Sequence, residues 1–337
     1  MWRRLGVCVF VLALVDQAVV PVLRISEARR YESDRLIRFE NSDLFLLGPL
    51  TDYLQEHPIG DKPRVMFFGD SIVWGYRINA HETLPSVFQR LAPSVRVFNF
   101  GVNGFEDGSM YLMSKAVIDT TDIFYVFHHK GDADPLLPKG IAVDAQDAKR
   151  FHLQLPSRAD QAFDRLHRLW RLSRYSYRLQ GAWFGTSTRQ YVYLHKGEWA
   201  RRLLGTTQED AGRPPPLAPR PRERAVWNAP TIHRSVSEAE RAALARQYAL
   251  AWDYATLLAT HGKHGVYIET SIEVGLANDH DREMLNAIFH PYVIFARVDI
   301  PDSWLLSDRT HLSPEGCRGM AELLMERTAV PFGLQRK

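Results

Sequence analysis

The chain has 337 residues and a formal net charge of +3, from 42 lysines and arginines against 39 aspartates and glutamates. Apolar residues make up 45% and charged residues 24%, which excludes a fibrous or largely disordered protein. The two cysteines, Cys8 and Cys317, lie near opposite ends of the chain, so neither a disulfide scaffold nor a cysteine-ligated metal site is expected.

An apolar run from Leu5 to Leu23 opens the chain and is interrupted only by Asp16 and Gln17. At about 1.5 Å rise per residue, a helix of this length roughly spans the hydrocarbon core of a bilayer. We therefore predict an uncleaved signal anchor, a transmembrane helix, over residues 1–24. The alternatives are a buried core helix and a cleaved signal peptide, for which the run offers no clear small-x-small site.

Five short apolar runs predict β-strands after a polar, partly helical stalk at residues 25–61. These runs are Arg64–Phe68, Val95–Phe100, Ile123–Phe127, Val266–Thr270 and Tyr292–Val298. Because helical stretches separate several of them, we expect an α/β fold, a three-layer sandwich with a five-stranded parallel sheet. The clearest helix runs from Glu238 to His261, with Ser237 and Glu240 as a capping box and Gly262 as the stop.

The main domain is predicted over residues 62–330, with an insertion at about 135–235. Residues 149–224 are basic, with 16 lysines and arginines against 6 aspartates and glutamates. The insertion includes an aromatic helix candidate over Asp160–Leu179 and a proline-rich segment over Gly212–Pro221. Its three interpretations are a charged outer face, contact with anionic lipid headgroups, and a groove for a polyanionic or acylated glycan. Nucleic acid is not an expected partner, because no recognised nucleic-acid motif accompanies the charge.

A candidate nucleophile, Ser71, follows the first predicted strand directly, in Gly69-Asp70-Ser71. In a parallel sheet, ligands bind at the carboxyl ends of the strands, and amides at the start of the next helix can stabilise an oxyanion there. The alternative role for Ser71 is that of an ordinary helix N-cap.

A candidate base lies near the C-terminus, in Asp308-Arg-Thr-His311. A catalytic serine needs a base, and the base needs a group that fixes its tautomer and stabilises its protonated form. Because Asp308 and His311 are three residues apart, one short turn can bring them together. The alternative is a solvated loop aspartate beside a histidine at a helix start.

In combination, these blocks resemble the SGNH hydrolases, the family of GDSL-type esterases and lipases. The resemblance covers roughly residues 62–132 and 240–325, and it includes Asn99-Phe-Gly-Val-Asn-Gly104 between the serine and the C-terminal block. Ordered blocks at suitable spacing are more specific than any one of them. The serine context is not Gly-x-Ser-x-Gly, which argues against the α/β-hydrolase fold.

The resemblance implies a catalytic triad of Ser71, His311 and Asp308. It also implies an oxyanion hole built from the backbone amides of Ser71 and Gly104. We expect no cofactor and no metal ion.

One block departs from the family pattern, which has Gly-x-Asn-Asp after the third strand and uses the Asn side chain as an oxyanion donor. Here Asp132 fits the last position, but Gly131 stands where Asn is expected. Loss of one oxyanion donor can slow a reaction about 10²–10³-fold. Either Asn103, His129 or Lys130 replaces the donor, or the reaction is slow or specialised, or the protein is a pseudoenzyme.

Two further pairs of polar residues carry no expected catalytic or metal-binding role. The neighbours His128 and His129 follow a strand and point to opposite faces, so they are poorly placed to chelate one metal ion. Glu106 and Asp107 could mimic the paired carboxylates of a glycosidase, but solvated loop acids are the expected state.

The sequence therefore predicts a membrane-anchored serine esterase or O-acyltransferase acting on an ester. The resemblance and the anchor suggest an O-acetylated envelope or exported polysaccharide, or a lipid, as substrate. The alternative is a catalytically weak or inactive glycan-binding or assembly protein on the same fold. We expect the domain outside the cytoplasm, in the periplasm, because large domains translocate with little regard to charge. Arg3 and Arg4 agree with this orientation, whereas the arginines after the apolar run oppose it.

Overall fold

The computed structural model describes residues 6–18, 62–102, 106–128, 143–151, 217–232, 234–272 and 277–334. Within these residues, six strands form one mixed sheet in the order β2-β1-β3-β5-β6-β4. The strands are β1 (Arg64–Gly69), β2 (Arg96–Gly101), β3 (Ile123–Phe127), β4 (Val226–Asn228), β5 (His264–Thr270) and β6 (Val293–Asp299). All neighbours pair in parallel except β4, which runs antiparallel to β6 at the edge of the sheet.

The α/β fold is confirmed, but the predicted count of five strands was wrong. All five predicted strands are present, and each begins and ends within two residues of its predicted bounds. The missed strand, β4, has only three residues and leaves Val226 60% exposed. A strand this short at a sheet edge carries no apolar run, so its sequence looked like part of the insertion.

The described helices lie between the strands and at the two ends of the chain. They are α1 (6–18), α2 (Ser71–Trp74), α3 (Leu84–Leu91), α4 (Asp107–Val117), α5 (Ala145–Arg150), α6 (Glu238–Gln247), α7 (Ala249–Thr260), α8 (Asp279–Phe289) and α9 (Pro314–Thr328). Three short 3₁₀ helices add to these, at Ala80–Glu82, Ile118–Thr120 and Asp302–Trp304.

The central strand β1 is buried on both faces of the sheet, and all six of its residues are inaccessible. Met66 and Phe68 point to the face that packs against α4, α7 and α8. Val65 and Phe67 alternate with them and point to the opposite face, which is covered by α3 and α9. A parallel strand covered on both faces reads as a continuous apolar run, and this explains why the sequence located it well.

The helix predicted from Glu238 to His261 is divided at Tyr248 into α6 and α7. Tyr248 leaves the helical conformation, with φ −117° and ψ 41°, and its hydroxyl donates to Asp281 Oδ2 at 2.5 Å. The predicted capping box of Ser237 and Glu240 is confirmed, because each side chain accepts from the other's backbone amide. Gly262 ends the second helix with a left-handed φ of 62°.

The N-terminal run contains the described helix α1. Among the residues that the structure describes, no helix has both the length and the apolar character needed to cross a bilayer. The rest of the predicted anchor lies outside the described residues, as does the stalk at 25–61. Most of the insertion, including the predicted helix over Asp160–Leu179, also lies outside them.

Candidate active site

Ser71 is the first residue of α2, immediately beyond the carboxyl end of β1. The alternative role of N-cap for Ser71 was wrong, because Asp70 is the N-cap and its carboxylate accepts from the amide of Ile72 at 3.0 Å. The Ser71 hydroxyl lies 3.0 Å from Asp70 Oδ2, and its single proton can be donated either to that oxygen or to His311 Nε2. Asp70 therefore frees the serine side chain from capping and fixes the start of the short helix that carries it.

Two glycines let α2 approach the sheet closely enough to place Ser71 at the edge. A Cβ atom at Gly69 would lie 2.4 Å from a Val73 methyl group. A Cβ atom at Gly101, at the end of the neighbouring strand β2, would lie 2.2 Å from the backbone nitrogen of Trp74. Contact with backbone leaves no side chain that can move aside, so Gly101 is required for this packing.

Asn99 ties the end of β2 to the same helix. Its side-chain amide donates to the Val73 carbonyl at 3.2 Å, and its Oδ1 accepts from the Gly101 amide at 2.9 Å. This Asn opens the Asn-x-Gly-x-x-Gly block of the sequence, and its role here is to bind two backbone groups near Ser71. The later members of that block, Asn103 and Gly104, lie outside the described residues.

The candidate base stands on a tight loop between β6 and α9. Leu305 and Leu312 form an antiparallel bridge that closes this loop. Within it, Asp308 Oδ1 accepts from the backbone amides of Thr310, at 3.0 Å, and His311, at 3.1 Å. These bonds hold the aspartate and the histidine on one turn, as their spacing predicted. Asp308 is an exposed loop residue, as in the alternative, but its carboxylate is bound to His311.

Ser71, His311 and Asp308 form one continuous hydrogen-bonded line. His311 Nε2 lies 2.9 Å from Ser71 Oγ, and His311 Nδ1 lies 3.0 Å from Asp308 Oδ2. The Ser71 residue is 6% exposed, whereas the His311 and Asp308 side chains are 16% and 27% exposed. The serine is thus enclosed, and the histidine lies between it and the more exposed carboxylate.

The Asp308 carboxylate is held in its ionised form. The backbone N–H of Thr310 is the largest cause that lowers the pKa of Asp308 to about 2, and His311 lowers it further through its side chain and its amide. An ionised Asp308 accepts a hydrogen bond from the N–H at His311 Nδ1. With the ring proton on Nδ1, Nε2 is unprotonated and faces the Ser71 hydroxyl as an acceptor. This is the tautomer that a general base for Ser71 requires.

Sequence reasoning missed two residues that contact this line. Asp70 binds the Ser71 hydroxyl, as described above, and the ring of Tyr76 packs on the ring of His311 with the centroids 4.4 Å apart. For Asp70, the signal was its place before a helix-start serine, where a capping aspartate is common. For Tyr76, no pattern in the sequence linked it to a histidine 235 positions later.

The proposed oxyanion donors are only partly described. The Ser71 amide stands at the start of α2, but Gly104 lies outside the described residues. The block after β3 that differs from the family pattern, which includes Gly131 and Asp132, also lies outside the described residues. So do His129 and Lys130, two of the residues that could replace the missing donor. The composition of the oxyanion hole therefore stays a prediction.

A second polar cluster lies at the same edge of the sheet and corrects an expectation. Asp107 is not a solvated loop acid, because it is 4% exposed as the first residue of α4. Its Oδ2 contacts His128 Nδ1 and accepts from the Tyr267 hydroxyl at 2.6 Å. Burial and the neighbouring Asp107 carboxylate raise the pKa of Tyr267 well above its usual value, so this hydroxyl is a proton donor.

Within the described part of the chain, no group of three or more histidine, cysteine, aspartate or glutamate side chains is arranged to hold a metal ion. The Asp107 and His128 contact is a pair completed by a tyrosine, which is a hydrogen-bonded arrangement rather than a ligand set.

Comparison with known proteins adds no relative: no protein-family model matches this chain, and no curated protein matches it.

Proposed function

We propose that the protein is a serine hydrolase or acyltransferase of the SGNH type that cleaves an ester through Ser71, His311 and Asp308. The observation that carries the proposal is the hydrogen-bonded line from Asp308 through His311 to Ser71, at the carboxyl edge of a parallel sheet. His311 and Ser71 are 240 positions apart in the chain, yet they meet with the geometry that nucleophile activation needs.

The reaction begins when the Ser71 hydroxyl turns its proton from Asp70 Oδ2 to His311 Nε2. Oγ then bonds to the ester carbonyl carbon as its proton passes to Nε2, and the ionised Asp308 stabilises the resulting imidazolium. The leaving alcohol takes that proton from Nε2 when the ester C–O bond breaks. Water or a sugar hydroxyl, deprotonated in turn by His311 Nε2, then attacks the acyl carbon, and the acyl–Oγ bond breaks as Nε2 returns that proton to Ser71 Oγ.

The acceptor decides between an esterase and an O-acyltransferase, since both share the acyl-enzyme. A transferase must exclude water from the acceptor site. An anchored enzyme of this type would act on an O-acetylated envelope or exported polysaccharide, or on a lipid. This part of the proposal rests on the family resemblance and on the N-terminal apolar run.

The test is intact-mass measurement of the full-length protein after treatment with a fluorophosphonate, which transfers its phosphorus to an activated serine with loss of fluoride. We expect one adduct on the wild type and none on Ser71→Ala or His311→Ala. Ser303→Ala is the matched control, because Ser303 is an exposed serine that donates to Glu223 and should leave labelling unchanged.

The Gly131 position favours a second candidate, a non-catalytic glycan-binding protein on the same fold. The two candidates differ in the outcome of the labelling experiment. Folded wild type that takes no adduct would refute the hydrolase proposal and favour glycan binding. An adduct that persists in Ser71→Ala would show that another serine reacts, and would refute the assignment of Ser71.

A further inference from the structure

Tyr76 makes a face contact with the proposed base. The chain leaves α2 through Gly75, with φ 82°, and the ring of Tyr76 then lies against His311 with 4.4 Å between centroids and 35° between planes. The amides of Gly75 and Tyr76 both donate to the Ser71 carbonyl, at 3.0 and 3.1 Å. The position of Tyr76 is therefore tied to the backbone of the nucleophile itself.

The backbone on both sides of this contact is in an unfavourable conformation. Among the described residues other than glycine, only Arg77 and Arg309 have positive φ, at 59° and 55°. Arg77 directly follows Tyr76, and Arg309 lies between Asp308 and His311. Left-handed conformations at such residues are retained when the surrounding structure requires them, and they concentrate at functional sites.

The His311 ring is joined to the chain through its Cβ–Cγ bond, and rotation about that bond is the motion that can misalign the ring. Asp308 Oδ2 and Ser71 Oγ lie at hydrogen-bond distance from the two ring nitrogens. Rotation about Cβ–Cγ carries both nitrogens out of the present ring plane and away from these oxygens. A side chain packed against the ring face opposes that rotation.

We propose that Tyr76 is a positioning residue, which holds the His311 ring in the plane where Nε2 points at Ser71 Oγ. The inference rests on the proposed function, because it assigns Tyr76 to the same base. When His311 becomes an imidazolium, the electron-rich face of Tyr76 also favours the positive charge. The Tyr76 hydroxyl takes no part in either effect, so phenylalanine should replace tyrosine at this position.

The kinetic test measures fluorophosphonate labelling over a range of reagent concentrations, which separates the maximal rate of labelling from reagent binding. We expect Tyr76→Ala to lower the maximal rate about ten- to a hundredfold, the order of loss that small misplacement of a reacting group produces. The reagent concentration at half-maximal rate, which reports reagent binding, should change less than about twofold, because Tyr76 acts on the orientation of His311. Tyr76→Phe should stay within about twofold of wild type in both quantities.

Tyr292→Ala is the matched control. Tyr292 also has its ring beside a histidine, His264, but the two lie at the amino ends of β6 and β5, on the opposite edge of the sheet. Its removal should leave the maximal rate of labelling unchanged. Melting temperatures are compared for all variants, and Tyr76→Leu replaces the alanine variant if that variant fails to fold.

A second readout needs no activity. In protein labelled with ¹⁵N-histidine, His311→Ala identifies the His311 ring signals. We expect wild type and Tyr76→Phe to show a His311 Nδ1 proton protected from exchange with water, and Tyr76→Ala to lose that protection.

The outcomes distinguish failure of the positioning role of Tyr76 from failure of the proposed hydrolase function. If wild type is labelled and Tyr76→Ala is labelled at the same maximal rate, the positioning role is overturned. It is also overturned if Tyr76→Phe loses as much of the maximal rate as Tyr76→Ala. A wild type that takes no label at Ser71 would instead refute the proposed function, and the positioning role with it.

Discussion

Replacing Asp308 with asparagine tests the proton positions of the site while keeping its shape. In the variant, the asparagine Oδ1 can still accept the amides of Thr310 and His311, as Asp308 Oδ1 does at 3.0 and 3.1 Å. Its side-chain NH₂ then takes the place of Oδ2, 3.0 Å from His311 Nδ1. Because NH₂ is a donor, Nδ1 must accept, and the ring proton moves to Nε2. A protonated Nε2 cannot take the proton of Ser71.

The expected loss is large in rate and small in stability. The same tautomer exchange in a serine protease lowers kcat about 10⁴-fold, which corresponds to about 5.4 kcal/mol at 1.36 kcal/mol for each factor of ten. The Asp308 side chain is 27% exposed and keeps its two backbone bonds, so we expect the variant to fold. The measurement is the fluorophosphonate labelling rate at neutral pH, with Asp302→Asn, an exposed aspartate near the same loop, as control. More than about a tenth of wild-type rate in folded Asp308→Asn would refute the tautomer argument.

The same pair of proteins gives a pH prediction. Since the folded-state pKa of Asp308 is lowered to about 2, its charge contributes stability above its unfolded pKa of about 3.9, and that contribution is lost as pH falls towards 2. Asparagine does not titrate. The difference in melting temperature between wild type and Asp308→Asn should therefore narrow as pH falls from about 4 to about 2. An unchanged difference over that range would contradict the lowered pKa.

Two further predictions concern the close contact at Gly101 and the buried hydrogen bond of Tyr267. In Gly101→Ala, the new methyl group would lie 2.2 Å from the Trp74 backbone nitrogen. We therefore expect a loss of at least about 1–3 kcal/mol in stability, and slower labelling of the displaced Ser71. An unchanged melting temperature would contradict the close packing. Tyr267→Phe removes a buried bond to the Asp107 carboxylate and should cost about 2 kcal/mol in denaturant unfolding. Tyr125→Phe, which removes a buried bond between two neutral hydroxyls, should cost about 1 kcal/mol, and equal losses would argue against a charged acceptor.

The strands were predictable because the sheet is parallel and covered on both faces. Such strands must be apolar throughout, and a run such as Ile123–Phe127 reads as a strand without knowledge of its neighbours. The edge strand β4 and the division at Tyr248 follow instead from distant partners. β4 exists because β6 offers an unpaired edge, and Tyr248 is turned toward Asp281 on α8.

The site divides in the same way. Asp308 and His311 were predictable because a three-residue spacing is sufficient for one turn, and Ser71 was predictable because it directly follows a strand. Their meeting requires the loop before α9 to reach the edge where α2 begins, which no local pattern specifies. Tyr76 depends on that meeting, so sequence reasoning had no means of assigning it.

The buried cluster of Asp107, His128 and Tyr267 follows from sheet register rather than from any motif. Val126 and Tyr267 are direct partners between β3 and β5, and both belong to the core on the α4 side of the sheet. Two residues after Val126, His128 points to the same side, because side chains alternate along an extended chain. Asp107 begins α4 and so meets them both. The sequence supplied the alternation, but the partner of His128 required the strand order and the face on which α4 packs.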